Sequence, residues 1–286
     1  MEVITTINEI RTRIAKEKKA GKVIGLVPTM GYLHRGHQSL IEKARKESDF
    51  VVVSIFVNPL QFGPNEDYDR YPRDLERDKI MAKQAGADLI FFPSVNEMYP
   101  AKPKTFVEVN ELTAQLCGKS RPGHFRGVTT VVSKLFHIIQ PDMAYFGLKD
   151  AQQVAVIQQM VQDLNMPITI IPCPIVREED GLALSSRNVY LSPEERNQAT
   201  ILYQSLQKAK EWIEEGITET RILKDRIRSV IETQSLARID YVEILSFPSL
   251  EPVGEINETS QTIIALAVWF GKTRLIDNLI IDRNEV

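Results

Sequence analysis

The chain has 286 residues, enough for one large domain or two moderate ones with a real core. Its 43% apolar content, 14 glycines and 15 prolines are those of a globular protein, which excludes disorder as the default. A formal net charge of -3, with both signs interspersed, lacks the basic excess of a protein that lives on phosphate backbones, so nucleic acid is not an expected partner.

The N-terminal stretch lacks the apolar run of a signal peptide, and no segment has the apolar length of a membrane span. A cytoplasmic protein is expected, with no membrane partner. Cys117 and Cys173 match no zinc spacing and form no disulfide framework, so both are read as small buried residues.

Thr6 and Glu9 make a capping box, and Ile7, Ile10 and Ile14 continue as a helical stripe. Cations and a glycine over 16–21 end that helix. Residues 23–27 read as a buried strand. The turn over 28–36 leads into a helix carrying Leu40, Ile41 and Ala44, and 50–57 is a second buried strand rich in β-branched residues. A charged stretch over 65–79 passes into a helix, and 88–92 is a third apolar run. A short strand over 106–109 and a helix over 128–139, stopped by Pro141, follow. Then come a strand over 143–146, a helix over 151–164 and a strand over 168–171 that resumes at 175–176 past two prolines. Strands that alternate with helices and are apolar on both faces predict a parallel sheet covered on both sides. The predicted class is therefore α/β: a doubly wound, Rossmann-like domain over residues 1–180.

The texture changes after Asp180. Ser192-Pro193-Glu194-Glu195 is a strong helix start, with Leu202, Leu206, Ala209 and Ile213 as the buried stripe and Gly216 as the stop. A second helix over 219–234 and strands over 241–245, 262–270 and 274–281 complete a smaller α+β domain over 181–286.

Five constellations carry candidate chemistry. The first, Pro28-Thr29-Met30-Gly31-Tyr32-Leu33-His34-Arg35-Gly36-His37, joins a strand to a helix, where free backbone N–H groups attract phosphate. His34 and His37 are three residues apart and face the same way on a first helical turn. An exposed structural turn and a metal pair are the competing readings. This His-x-Gly-His turn resembles the signature of the HxGH nucleotidyltransferase superfamily. The second, Leu184-Ser185-Ser186-Arg187-Asn188, offers hydroxyls and a guanidinium suited to anionic oxygens, or else a serine turn. The third, Phe146-Gly147-Leu148-Lys149-Asp150-Ala151-Gln152-Gln153, joins strand to helix again. Lys149 can neutralise phosphate, Asp150 either caps the helix or accepts from ribose, and Gln153 can read a polar substrate. In the fourth, Val57-Asn58-Pro59-Leu60-Gln61-Phe62-Gly63, Asn58 and Gln61 are uncharged amides at a strand end that suit hydroxyl and carbonyl recognition; a simple Asn-Pro turn is the competing reading and leaves Gln61 unexplained. The fifth, Ser120-Arg121-Pro122-Gly123-His124-Phe125-Arg126-Gly127, leads into a helix and is either a second anion contact or a plain loop. His137 is read as a helix-face residue without function. The charged stretch is a solvated surface by default; a mobile lid and Mg²⁺ contacts through Asp78 are secondary readings.

Pro-Thr-Met-Gly-x-Leu-His-x-Gly-His, Val-Asn-Pro-x-Gln-Phe-Gly-Pro, Arg-Pro-Gly-His-Phe-x-Gly-Val, Phe-Gly-x-Lys-Asp-x-Gln-Gln and Ser-Ser-Arg-Asn occur in order between Pro28 and Asn188. Together they resemble the pantothenate synthetase (pantoate–β-alanine ligase) family. The resemblance implies a homodimeric ligase that joins (R)-pantoate to β-alanine with ATP and Mg²⁺. It implies ATP contacts at Met30, Gly31, Tyr32, Leu33, His34, Arg35, Gly36 and His37, at Gly147, Leu148, Lys149 and Asp150, at Val176, and at Leu184, Ser185, Ser186 and Arg187. His37 is the implied proton donor; by their charge and donors, His34, Lys149 and Arg187 are further catalytic candidates that would stabilise the transferring phosphate. Gln61 and Gln153 are the implied pantoate contacts, with Asn58 shaping the pocket. No Mg²⁺ ligand is implied. A different nucleotidyltransferase and a non-catalytic nucleotide-binding module are the alternatives. The first would want a more basic acceptor pocket than Asn58, Gln61 and Gln153 make. The second would have little use for Lys149 together with the Ser-Ser-Arg loop.

Overall fold

In the run Phe50–Ile55, Phe50 and Val52 enter one apolar cluster while Val51, Val53 and Ile55 enter another, as a strand buried on both faces requires. This computed structural model describes residues 1–64, 66–257 and 260–282; Asn65, which opens the charged stretch, lies outside the described residues, as do 258–259 and 283–286 of the expected C-terminal domain. In chain order the elements are β1 (Glu2–Ile4), α1 (Ile7–Lys19), β2 (Ile24–Thr29), α2 (Arg35–Glu47), β3 (Phe50–Ile55), α3 (Leu75–Gln84), β4 (Leu89–Phe91) and α4 (Val95–Met98). Next are α5 (Leu116–Ser120), α6 (His124–Ile139), β5 (Met143–Gly147), α7 (Ala151–Asp163) and β6 (Thr169–Cys173). The rest is helical and then stranded: α8 (Pro193–Ala199), α9 (Ile201–Glu214), α10 (Thr220–Ile231), β7 (Ala237–Ser246), β8 (Thr262–Phe270) and β9 (Thr273–Ile281).

β1 to β6 form one sheet in the order β1-β4-β3-β2-β5-β6, parallel at every pairing. Residues of α1, α6 and α7 cover one face, and residues of α2 and α3 cover the other. The order reverses between β2 and β5, so this doubly wound sheet has its switch point there, and a ligand crevice is expected at the carboxyl ends of those two strands. β7, β8 and β9 make a separate antiparallel sheet. Ile264, Leu266 and Val268 on one face of β8 pack with Leu202, Leu206 and Ala209 of α9 and Leu223 and Ile227 of α10. Ile263 and Ala265 on the other face pack with Leu116, Ala151 and Ala155 of the larger unit.

Four local expectations change. Residues 106–109 form no strand, because their backbone is satisfied by side chains of α6: Val107 N donates to Thr130 Oγ1 at 3.1 Å and Thr129 Oγ1 donates to Val107 O at 2.6 Å. β6 ends at Cys173; residues 175–176 are not a strand, and Leu184 N donates to Val176 O at 3.0 Å across a loop. The helix that starts at Ser192 is two helices, interrupted at Thr200, whose hydroxyl donates back to Asn197 O at 2.8 Å. The helix expected from 128 begins at His124, after Gly123 in the left-handed region. His137 sits on the exposed side of α6, where its Nδ1 bonds Ser133 O at 2.7 Å. Both cysteines are buried and free.

Candidate active site

Between β2 and α2 the chain spends nearly all its backbone donors on itself. Gly31, with φ +83, makes the bend, and Gly31 N donates to Thr29 Oγ1 at 3.1 Å. Asp78 of α3 accepts from Tyr32 N at 2.8 Å and from Leu33 N at 2.6 Å. His34 is the N-cap of α2: its Nδ1 accepts from Gly36 N at 3.1 Å, while His37 Nδ1 accepts from His34 N at 3.2 Å. His37 N itself bonds His34 O at 2.8 Å. The expected supply of free backbone N–H groups is therefore largely used up. What this turn presents instead is its imidazoles. Because each Nδ1 is an acceptor, the proton of each neutral ring sits on Nε2. The rings lie 4.0 Å apart. Burial, then the neighbouring His37 and the positive charge of Lys149 and Arg77, lowers His34 from 6.5 to about 2. Burial, then Lys149 and Arg77, lowers His37 to about 4. Both are neutral donors at pH 7. Gly36 makes this arrangement possible, since a Cβ there would sit 2.9 Å from the His34 ring.

A cavity of about 230 Å³ opens at the switch point and is lined by Met30, His34, Gly36, His37, Gln61, Gly147, Lys149, Asp150, Gln153, Val176, Leu184, Ser185, Ser186 and Arg187. Several candidates lie off its wall. Leu33 is fully buried in the core, Arg35 projects from α2 to pair with Glu42, and Tyr32 lies beneath the Arg77 guanidinium, 4.6 Å away. Leu148 packs into the apolar core, and Gly31 faces a separate cavity beside Asp78. Asp78 is a strut beneath the turn and does not line the cleft, which argues against its reading as a Mg²⁺ contact.

Asn58, 1% exposed, is also set back from the cleft. Its Nδ2 donates to Gln61 Oε1 at 3.2 Å and to Gly127 O at 3.0 Å, and its Oδ1 accepts from Tyr99 at 2.9 Å. This fixes the Gln61 amide, whose Nε2 lies 3.0 Å from Met30 Sδ. Of the two glutamines on α7, Gln152 turns inward, accepting from Cys117 N and donating to Leu112 O and Gln115 O; Gln153 faces the cleft. Asp150 makes no side-chain cap on α7 and stands 3.5 Å from Lys149 Nζ, so capping is not its use. Ser185 Oγ accepts from Arg187 N, and Ser186 Oγ donates to Tyr32 O, both at 3.3 Å.

Beyond the secondary reading of the charged stretch as a lid, the sequence singled out no role for Tyr71, Glu66 or Asp67. Tyr71 is buried and lines the cleft. Asp67 accepts two bonds from Arg187, at 2.9 and 3.0 Å, and Glu66 pairs with Arg121. Arg121 Nη1 bonds His124 Nε2 at 3.1 Å, and His124 Nδ1 bonds Gln61 O at 2.8 Å, so the fifth constellation does reach the cleft. Nothing in the charge pattern of 65–79 marked Glu66 and Asp67 as partners of Arg121 and Arg187, which lie 55 and 120 residues away. A second cavity of about 840 Å³ continues from Lys149 and Arg187 to β9. Among the described residues, no three His, Cys, Asp or Glu side chains converge as a metal site, and no helix is long and apolar enough to cross a membrane.

This geometry has relatives. A family profile described as pantoate–β-alanine ligase matches residues 2–280. The pantothenate synthetase of Acetivibrio thermocellus is 60% identical over 99% of this chain and all of its own length. The crystal structure of pantothenate synthetase from Thermus thermophilus superposes with a TM-score of 0.91 at 48% identity, covering 98% of this chain and 99% of that one. The structure of pantoate–β-alanine ligase from Francisella tularensis, complexed with β-γ ATP and β-alanine, has a TM-score of 0.81 at 38% identity and covers 98% of this chain and 97% of that one. With the match running essentially from end to end, the chain belongs to the pantoate–β-alanine ligase family.

Proposed function

We propose that the cleft between β2 and β5 condenses (R)-pantoate with β-alanine, using ATP and releasing AMP and diphosphate by way of a pantoyl-adenylate. The chain is a ligase that forms a C–N bond, as its family does, and ATP is its substrate. The observation that carries the mechanistic reading is one cavity lined both by cationic and neutral donors suited to phosphate and by two uncharged amides suited to a hydroxy acid.

In the first half-reaction a pantoate carboxylate oxygen attacks the α-phosphorus. A new P–O bond forms, the bond to the bridging oxygen breaks, and diphosphate leaves with its electron pair. Charge grows on the non-bridging and leaving oxygens. The Nε2–H groups of His34 and His37, the Lys149 ammonium, the Ser185 and Ser186 hydroxyls and the Arg187 guanidinium stabilise it there. Arg187 reaches phosphate by exchanging Asp67 for it. Gln61, held by Asn58, and Gln153 orient pantoate. The remaining ATP contacts lie along Met30, Gly36, Gly147, Asp150, Val176 and Leu184, with Gly31, Tyr32, Leu33, Arg35 and Leu148 shaping the turns that bear them. In the second half-reaction the free amine of β-alanine attacks the mixed anhydride, a C–N bond forms and AMP departs. An amine with a pKa near 10 must first lose a proton. Burial beside Lys149 and Arg77 keeps His34 and His37 weak bases, so neither imidazole is assigned as the acceptor of that proton.

Bound together with ATP, Mg²⁺ would supply neutralisation of phosphate charge. Asp150, the carboxylate on the cleft wall, suits a cation that takes few protein oxygens beside phosphate ones. The same reading includes a cytoplasmic homodimer, with residues 1–180 as the catalytic domain and 181–286 as the smaller one. Leu182 already packs into the second core, which supports that boundary.

The test is an incubation with ATP, Mg²⁺, pantoate and β-alanine that follows AMP and diphosphate. Both products should appear only when pantoate is present, and His37→Ala should slow diphosphate release by about 10²- to 10³-fold while the protein stays folded. ADP as the product, or release without pantoate, would sink the reading.

A further inference from the structure

Two adjacent residues of β9 hold two of the chain segments that line the cleft. Asn278, 6% exposed, donates from Nδ2 to the carbonyls of Leu148 at 2.8 Å and Lys149 at 3.0 Å. Asp277, 2% exposed, accepts a bidentate pair from Arg177 at 2.7 and 2.9 Å, and its Oδ1 also accepts from Asn278 N at 2.8 Å. Arg177 in turn donates to Gly181 O at 3.0 Å and lies over the Tyr203 ring at 4.6 Å. With the bridge between Arg177 and Ala183, this closes the loop that carries Val176 and Leu184 and leads to Ser185 and Arg187. Successive residues of a strand point to opposite faces. One strand therefore grips the Lys149 turn on one side and the Ser-Ser-Arg loop on the other. Neither Asp277 nor Asn278 lines the smaller cavity; both line the larger one behind it.

We propose that Asp277 and Asn278 are positioning residues of the nucleotide site: Asn278 sets the Lys149 turn, and Asp277, through Arg177, sets the loop bearing Ser185 and Arg187. This rests on the reading of Lys149 and Arg187 as phosphate contacts. Misplacing a reacting group by about 1 Å can lower a rate by roughly 10²-fold, so a strand that fixes two such groups has leverage on the reaction without touching the substrate.

The test compares Asn278→Ala, Asp277→Asn, Lys149→Ala and the Lys149→Ala/Asn278→Ala double variant of the full chain. It uses ATP titration calorimetry and the ATP, pantoate and β-alanine dependence of diphosphate and AMP release. Asn278→Ala should raise the KM for ATP by about tenfold, within the leverage of such a displacement, and leave the KM for β-alanine within about twofold. If it acts through Lys149, it should add less than about twofold in the Lys149→Ala background. Asp277→Asn keeps the side-chain volume and should also raise the KM for ATP; it carries the test should Asn278→Ala not fold. Equal losses in both Lys149 backgrounds, or an equal rise in KM for all three substrates, would overturn the proposal. Lys149→Ala binding ATP as the native chain does would instead overturn the nucleotide-site reading. Lys149→Ala losing ATP while Asn278→Ala and Asp277→Asn keep it would overturn the positioning role alone.

Discussion

His34, His37 and His124 are three imidazoles that the fold keeps neutral by burial. His37 and His124 are lowered to about 4 and His34 to about 2, against 6.5 in the unfolded chain. Between pH 6.5 and pH 4 the unfolded chain therefore binds more protons than the folded one. Stability then rises with pH across that window, so it must fall as the solution is acidified from pH 7 toward pH 4. The carboxylates Glu66 and Asp67 are lowered by Arg121 and Arg187, the guanidinium pairings outweighing burial, and their contribution is lost only at more acid pH. Discounted for the partial exposure of the rings, each histidine is worth on the order of 1 kcal/mol at pH 5. Urea unfolding should show the native chain less stable at pH 5 than at pH 7, and His37→Gln should narrow that gap. An unchanged gap in His37→Gln would mean that this ring is not held neutral. The same neutrality fits His34 and His37 to the phosphate-donor role proposed for them.

The turn before α2 stands on α3, because the Asp78 carboxylate accepts the two N–H groups of Tyr32 and Leu33. Asp78→Asn keeps the shape but turns one acceptor into a donor that faces an N–H. It should lower stability by about 1–3 kcal/mol, read by urea unfolding, and weaken ATP binding alongside. Native stability in Asp78→Asn would show that the turn holds itself. This contact also marks where local sequence pattern stops being informative. The Thr6 N-cap, the Leu40–Ile41–Ala44 stripe and the apolar runs of β2, β3 and β8 are written in short-range spacing and form their expected elements, and the Ser192 capping box starts its helix where expected; at Thr6 only half of the expected box forms, because Glu9 accepts from the Thr6 hydroxyl instead of the Thr6 N–H. The motifs that bear His34, Gln61, Lys149 and Arg187 sit at element junctions, where glycine, histidine and asparagine advertise turns, and the fold gathers them in one cleft. Residues 106–109 have strand composition and no strand, because Thr129 and Thr130 of α6 satisfy their backbone instead. β1 is three residues long and depends on β4 for its register, with partners 87 residues away. Asp277 and Asn278 read as part of a strand, and nothing within nine residues of them points to Arg177 or Lys149.

The two sheets are joined through an apolar cluster as well as through β9. Leu116, Ala151 and Ala155 from the larger unit pack against Leu245, Ile263 and Ala265 from the smaller one, and Tyr241 approaches Cys117 at 3.3 Å across the same boundary. A wet, polar interface between two units lets them melt apart. Here the interface holds a buried apolar cluster and is anchored by the Asn278 amide and the Asp277–Arg177 pair, so the smaller unit loses buried apolar area and buried hydrogen bonds if the larger one opens. Heating should therefore give one calorimetric transition whose calorimetric and van't Hoff enthalpies agree. ATP at 100 times its Kd should shift that transition upward as a whole, by the equivalent of about 2.7 kcal/mol. Ala155, 2% exposed, is the place to break the coupling. Ala155→Glu puts an unpaired carboxylate into the cluster, where the group has no hydrogen-bonding partner to offset its desolvation. It should resolve the melt into two transitions. Two transitions in the native chain would show that the cluster and the β9 contacts do not bind the units into one cooperative structure. A single ATP-shifted transition in Ala155→Glu would show instead that β9 alone is sufficient to couple them.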